Sequence, residues 1–96
     1  MTDKLNDESI DGWLKIRKGW KRSGNSLIKS FEFQSFRDAI VFVNRVASLA
    51  DELNHHPDID IRYTAVLLTL STHSAGGLTE LDLKVAERVD FATSAA

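Results

Sequence analysis

The sequence predicts an α+β domain: a four-stranded antiparallel sheet with three helices packed on one face, in the order α-β-β-α-β-β-α. Three observations lead there. One alternating run follows a short polar turn, and a second leads into a nearly all-apolar run close behind it, as hairpins do. Between them runs a long segment with apolar residues at helical spacing. A capping pattern near the C-terminus opens one more helix. Strands with a single apolar face bury it under helices, which gives the two-layer packing.

Taken in order, Asp7-Glu8-Ser9 starts a short helix that places Ile10, Trp13 and Leu14 together, weakened by Gly12. Trp20 to Arg22 form a strand, Ser23-Gly24-Asn25-Ser26 turns the chain, and Leu27 to Phe33 alternate as the second strand. Ser35, with Asp38 three residues on, opens the long helix. That helix carries two apolar stripes: Phe36, Ala39, Ile40, Val43, Ala47 and Ala50, and beside them Phe42, Val46, Leu49 and Leu53. One sheet covers one stripe, so the other is expected to meet a second subunit. Pro57 is expected to stop the helix, leaving His55 and His56 at its end. Ile59, Ile61 and Tyr63 mark a third strand, and Ala65 to Ser71 an interior fourth. Gly76-Gly77 breaks the chain, and Thr79 with Asp82 caps the last helix, whose face is Leu81, Val85 and Val89 and whose end frays from Ala92.

Composition narrows the function. Ninety-six residues, 43% hydrophobic and 27% charged, make one globular domain spanning 1–96. The absence of cysteine removes disulfides, Cys-ligated zinc, iron–sulfur clusters and thiol nucleophiles, and suits a reducing cytoplasm. Twelve basic against fourteen acidic residues leave a net charge of −2, without the positive field of a nucleic-acid binder. The local cluster Lys15, Arg17, Lys18, Lys21 and Arg22 reads as a solvated edge. Met1 to Asp11 is too polar for a signal peptide, and no apolar run approaches the ~20 residues that span a bilayer. A soluble cytoplasmic protein is expected.

The three histidines fall at element ends, not inside apolar stripes: His55 and His56 after the long helix, His73 after the fourth strand. Asp51 precedes His55 by four residues, which on a helix puts the two side chains on one face. Imidazoles gathered on one rim of a sheet suit proton transfer near neutral pH. Other chemistries fit less well. Three histidines can hold zinc, but no pair has the spacing of a zinc-protease helix. No strand–turn–helix serine elbow exists, and Gly76-Gly77 lacks the lysine of a phosphate loop. Taken singly, each histidine reads as structural or solvent-exposed, Tyr63 as a core aromatic and Asp82 as a first-turn helix acid.

Together, the run Asp51-x3-His55-His56-Pro57-x5-Tyr63-x9-His73-x8-Asp82 resembles the signature of the pterin-4a-carbinolamine dehydratases. Gly19-Trp20, Phe31-Glu32-Phe33, Arg45-Val46-Ala47 and Leu70-Ser71-Thr72-His73 with Gly77-Leu78-Thr79 extend the likeness over residues 8 to 92. The resemblance implies dehydration of 4a-hydroxytetrahydrobiopterin to quinonoid dihydrobiopterin, recycling the cofactor of aromatic amino-acid hydroxylases, with no metal or organic cofactor. It implies that His55 and His73 transfer protons and that His56 helps bind and orient the pterin. Asp51 would hold a histidine or the pterin's donor edge, Ser71 and Thr72 would face the ring, and Pro57 would form a wall, with Asp82 counted among the substrate-binding positions. Ile59 stands where many relatives have tryptophan, Asn54 replaces a frequent aspartate and Leu81 a frequent arginine, changes that bear on affinity more than on proton transfer. The family forms dimers and tetramers, so a homodimer or homotetramer is expected, with no direct nucleic-acid or membrane partner. The alternative is a protein client: animal relatives act as dimerisation cofactors of a homeodomain transcription factor, and dehydratase-like proteins assist RuBisCO assembly.

Overall fold

A computed structural model describes residues 3–94. The elements are α1 (Asp7–Ile16), β1 (Lys21–Ser23), β2 (Ser26–Glu32), α2 (Phe36–Leu53), β3 (Asp58–Arg62), β4 (Ala65–Leu70) and α3 (Glu80–Ser94), with a 3-10 turn at His73–Ala75. This is the expected order. The sheet runs β1-β2-β4-β3 and every pairing is antiparallel. Gly24 supplies the positive φ that a two-residue turn needs between β1 and β2. The β3–β4 turn obtains the same conformation from Tyr63, at φ 53°, and leaves that ring 74% exposed. The tyrosine is therefore a turn residue, not part of the core.

The β2–β4 pairing sets Leu27 opposite Leu70 and Phe31 opposite Val66. These residues and Leu68 are buried on one face, whereas Ile28, Leu67 and Thr69 on the other are only partly covered. All three helices lie on the first face. Phe42 stacks on Phe31 and Phe33, with ring centroids 4.7 and 4.9 Å away. Trp13 of α1 donates its indole N–H to Glu87, and Trp20 donates to Asp90, both on α3. Lys29 reaches Asp90 at 2.8 Å, tying β2 to the same helix. Within the cluster of basic residues, Arg17 and Arg22 pair with Glu87 and Asp7.

Ser35 caps α2 by accepting the Asp38 N–H. Of the two stripes on α2, the one holding Phe42, Val46 and Leu49 is buried against the domain's own core. Phe36 is 50% exposed and Ala47 is exposed, while Ala39 and Ala50 of that stripe are buried. The helix ends earlier than expected. Asn54 adopts the left-handed conformation at φ 52°, its N–H donates to Asp51 O, and the His55 N–H donates to Ala50 O. That pair of bonds is a Schellman cap, which closes the helix at Leu53 before Pro57 can act. His55 and His56 consequently lie beyond the helix. At the other end of the chain, α3 continues through Ser94, past the Ala92 at which fraying was expected. Residues 95 and 96, included in that expectation, lie outside the described residues.

Candidate active site

The Schellman turn swings the chain off the α2 axis and carries His55 to the N-terminus of α3. There Thr79 and Asp82 form the expected capping box. Thr79 Oγ1 accepts the Leu81 N–H, and Asp82 Oδ2 accepts the Thr79 N–H at 2.9 Å. Capping alone does not account for the carboxylate, which has 0% exposure. Its Oδ1 lies 2.6 Å from His55 Nε2, and its Oδ2 also accepts the Thr72 hydroxyl at 2.7 Å. Thr72 Oγ1 is in turn 2.8 Å from Thr79 Oγ1 and 3.4 Å from His55 Nε2. A buried charge survives only when paired and hydrogen-bonded, and this one has three donors.

Asp51, expected to face His55, instead meets His56, with Oδ1 2.8 Å from Nε2. The reason is the early helix end: the i, i+4 relation holds only while both residues are helical. The His56–Asp51 pair is exposed, whereas the His55 side chain keeps only 12% of its surface. His73 opens the 3-10 turn next to Thr72 and is exposed. Thr72 itself bridges to Gly77, the two exchanging backbone hydrogen bonds across that turn. Pro57 is half-buried between His56 and β3. Ser71 donates its hydroxyl to the Asn25 carbonyl, and Thr72 commits its own to Asp82. Tyr63, in the same sequence run, sits at the far end of β3. Ile59 pairs with Leu68 and packs against the core.

The site thus draws on the end of α2, the segment after β4 and the start of α3. Thr79 is the residue that sequence reasoning treated only as a cap, although its i, i+3 spacing to Asp82 already joined it to a site position. Among the described residues, no group of three or more His, Asp or Glu side chains is placed to hold a metal ion. A cavity of about 590 Å³ lies elsewhere, between α2 and α3, with Asn44, Arg45, Glu52, Arg88 and Phe91 in its walls and no histidine among them. The histidines lie at the rim and not in this hollow.

The fold is a one-sided α+β sandwich whose rim holds a histidine on a buried carboxylate. The family described as pterin 4 alpha carbinolamine dehydratase matches residues 3–92 of the sequence, and the chain belongs to it. A protein of Thermomicrobium roseum named "Putative pterin-4-alpha-carbinolamine dehydratase" is 49% identical over 86 residues, 90% of this chain and 92% of that one. A protein of the same name from Sulfurisphaera tokodaii is 44% identical over 87 residues, 91% of this chain and 94% of that one. Among solved structures, a transcriptional coactivator/pterin dehydratase from Brucella melitensis superposes with a TM-score of 0.88 at 33% identity, covering 92% of this chain and 96% of the other. A pterin dehydratase-like protein identified as a RuBisCO assembly factor of the alpha-carboxysome superposes at 0.65 with 31% identity, over 77% and 88% of the two chains.

Proposed function

We propose that the protein dehydrates 4a-hydroxytetrahydropterins to quinonoid dihydropterins by histidine acid–base catalysis. The observation that carries this reading is the His55–Asp82 pair, an imidazole fixed at 2.6 Å on a fully buried carboxylate. Hydroxide leaves poorly. An acid therefore protonates the 4a-oxygen as the C–O bond breaks and water departs, while a base removes a ring N–H proton so that the product leaves neutral. Such assistance is typically worth about 10²–10⁴-fold. In this reading His55 and His73 exchange the protons, and His56, held by Asp51, orients the pterin. Pro57 and the backbone at Ser71 and Thr72 form walls. Asp82, being buried, acts on the substrate through His55. The reaction needs no cofactor, and we assign it to a cytoplasmic homodimer or homotetramer.

Stopped-flow absorbance during hydroxylase turnover tests this. Purified protein is expected to accelerate loss of the 4a-hydroxy intermediate, with His55→Ala and His73→Ala each lowering kcat/KM by about tenfold or more and His56→Ala acting mainly on KM. A rate equal to the uncatalysed background at micromolar protein overturns the proposal. A second reading, binding of a protein client, is favoured by Phe36, Val41 and Phe91, which stand exposed on α2 and α3. Background-level dehydration by a folded protein would leave that reading in place.

A further inference from the structure

We infer that the N-terminal segment Lys4-Leu5 is a strap over the turn that carries His73, and that Lys4 is thereby a positioning residue for the proposed reaction. The positioning role rests on reading His73 as a proton-transfer residue. The strap itself follows from contacts alone.

Nothing at its own side chain fixes His73. The ring is exposed and makes no hydrogen bond among the described residues. Its place is therefore set by the backbone of residues 72–77. A 3-10 turn of three residues is a weak element by itself, because its hydrogen bonds are poorly aligned. The turn is closed by the Thr72–Gly77 bridge. There the Thr72 N–H donates to Gly77 O at 3.0 Å, and the Gly77 N–H donates to Thr72 O at only 3.4 Å. One limb of the bridge is anchored, since the Thr72 hydroxyl is held by Asp82. The Gly77 limb has no side chain to anchor it.

Gly77 is nonetheless buried, in a turn whose His73, Ser74 and Gly76 are exposed. Lys4 is what covers it. The atoms nearest to where a Gly77 Cβ would stand are Cε, Cδ and Cγ of Lys4, at 2.8, 3.3 and 3.4 Å. Gly76 has a positive φ of 73° and Gly77 does not, so the Gly77 backbone is open to any residue and the lysine stem is what fills the space. One residue on, the Leu5 N–H donates to Leu78 O at 2.8 Å, and the Leu5 side chain packs against the core. The strap is thus pinned beside the turn, and Lys4 is delivered across it. Lysine stems lie along such surfaces and leave the ammonium in water. Beneath the stem, the bridge is kept from water that would compete for its amide and carbonyl, and shielding of this kind strengthens a hydrogen bond. Without the stem the Gly77 limb opens and His73 goes with it, while Thr72 stays on Asp82.

The test is amide hydrogen exchange, read by NMR on the full-length, ligand-free protein, together with turnover of a 4a-hydroxytetrahydropterin. Lys4→Ala deletes the covering atoms. It is expected to speed exchange at the Thr72 and Gly77 amides by about threefold or more, with the α2 and α3 amides unchanged. Lys4→Met keeps an unbranched chain out to the ε position without the charge, and is expected to protect both amides as lysine does. In turnover, Lys4→Ala should lower kcat by about threefold or more at unchanged KM, with Lys4→Met restoring it. Unchanged exchange at Thr72 and Gly77 in Lys4→Ala overturns the strap. So does a rise spread evenly over the molecule, or a Lys4→Met protein that behaves like Lys4→Ala, since the ammonium and not the stem would then be responsible. Faster exchange with an unchanged kcat, in a protein that His73→Ala impairs, overturns the positioning role. The exchange data need no pterin. If both amides respond as expected in a protein that fails to dehydrate pterins, the strap stands and the catalytic reading alone is lost.

Discussion

Asp82→Asn changes one oxygen of the buried carboxylate into an NH₂ group and so tests the centre of the site. The amide has two orientations. With its nitrogen on the Oδ2 side, NH₂ would meet both the Thr79 N–H and the Thr72 hydroxyl, leaving a backbone donor buried without an acceptor. The favoured orientation therefore keeps oxygen there and turns NH₂ toward His55 Nε2. That contact survives only if Nε2 surrenders its hydrogen and Nδ1 takes it, and the second amide hydrogen is buried with no acceptor. The charge-assisted bond at 2.6 Å is lost in either case. Hydrogen bonds to charged groups contribute about 1.5–3 kcal/mol. At about 2 kcal/mol, a domain of this size should melt roughly 8–16 °C lower. Activity should fall further than stability implies, by about 10²-fold or more in kcat, because His55 then presents the opposite tautomer to the substrate. Circular-dichroism melts and stopped-flow turnover on the same preparation measure both. A melting temperature within about 2 °C of wild type and a kcat within about threefold would refute this role for Asp82.

Three further outcomes concern α2 and the second hairpin. Phe36→Glu is expected to weaken a dimer or tetramer in light scattering while the monomer stays folded. Val46→Glu, which buries a charge at a site only 1% exposed, is expected to unfold the chain. A monomeric wild type near 10.7 kDa would remove the assembly proposal. Tyr63→Gly should raise stability by about 1 kcal/mol in thermal melts, since a non-glycine residue at φ 53° carries strain and this side chain buries little in return. A lower melting temperature would mean that the exposed ring contributes more than the backbone costs.

The elements that local chemistry dictates are legible in the sequence. Gly24-Asn25 turns a hairpin, Ser35 and Thr79 cap helices, and the nearly all-apolar run Ala65–Leu70 marks the central strand. The end of α2 is harder to place because Pro57 is a louder signal than Asn54, although asparagine can take the left-handed cap position almost as readily as glycine. That shift of a few residues exchanges the partners of the two histidines. The 51–55 spacing suggests one carboxylate–imidazole pair, whereas the folded chain makes two others, Asp51 with His56 and Asp82 with His55. The second joins residues 27 apart, and no helical or strand period encodes such a contact. The inward stripe of α2 is undecidable from sequence for a similar reason. Both stripes are apolar, and only the tilt of the helix on the sheet selects Phe42, Val46 and Leu49.

The indole bonds to α3 have a spectroscopic consequence. Both tryptophans of the chain donate to that helix, Trp13 to Glu87 and Trp20 to Asp90, and the Lys29 ammonium lies 5.7 Å from the centre of the Trp20 ring. At about 1.5 Å per residue, Asp90 is roughly 12 Å along the helix from Asp82. Intrinsic fluorescence is consequently a gauge of how α1 and the first hairpin seat on the distal half of α3. A titrant that occupies the histidine rim without shifting that helix will leave the emission maximum where it was. A loosening of the N-terminal segment will move it to the red while His55 is still in place.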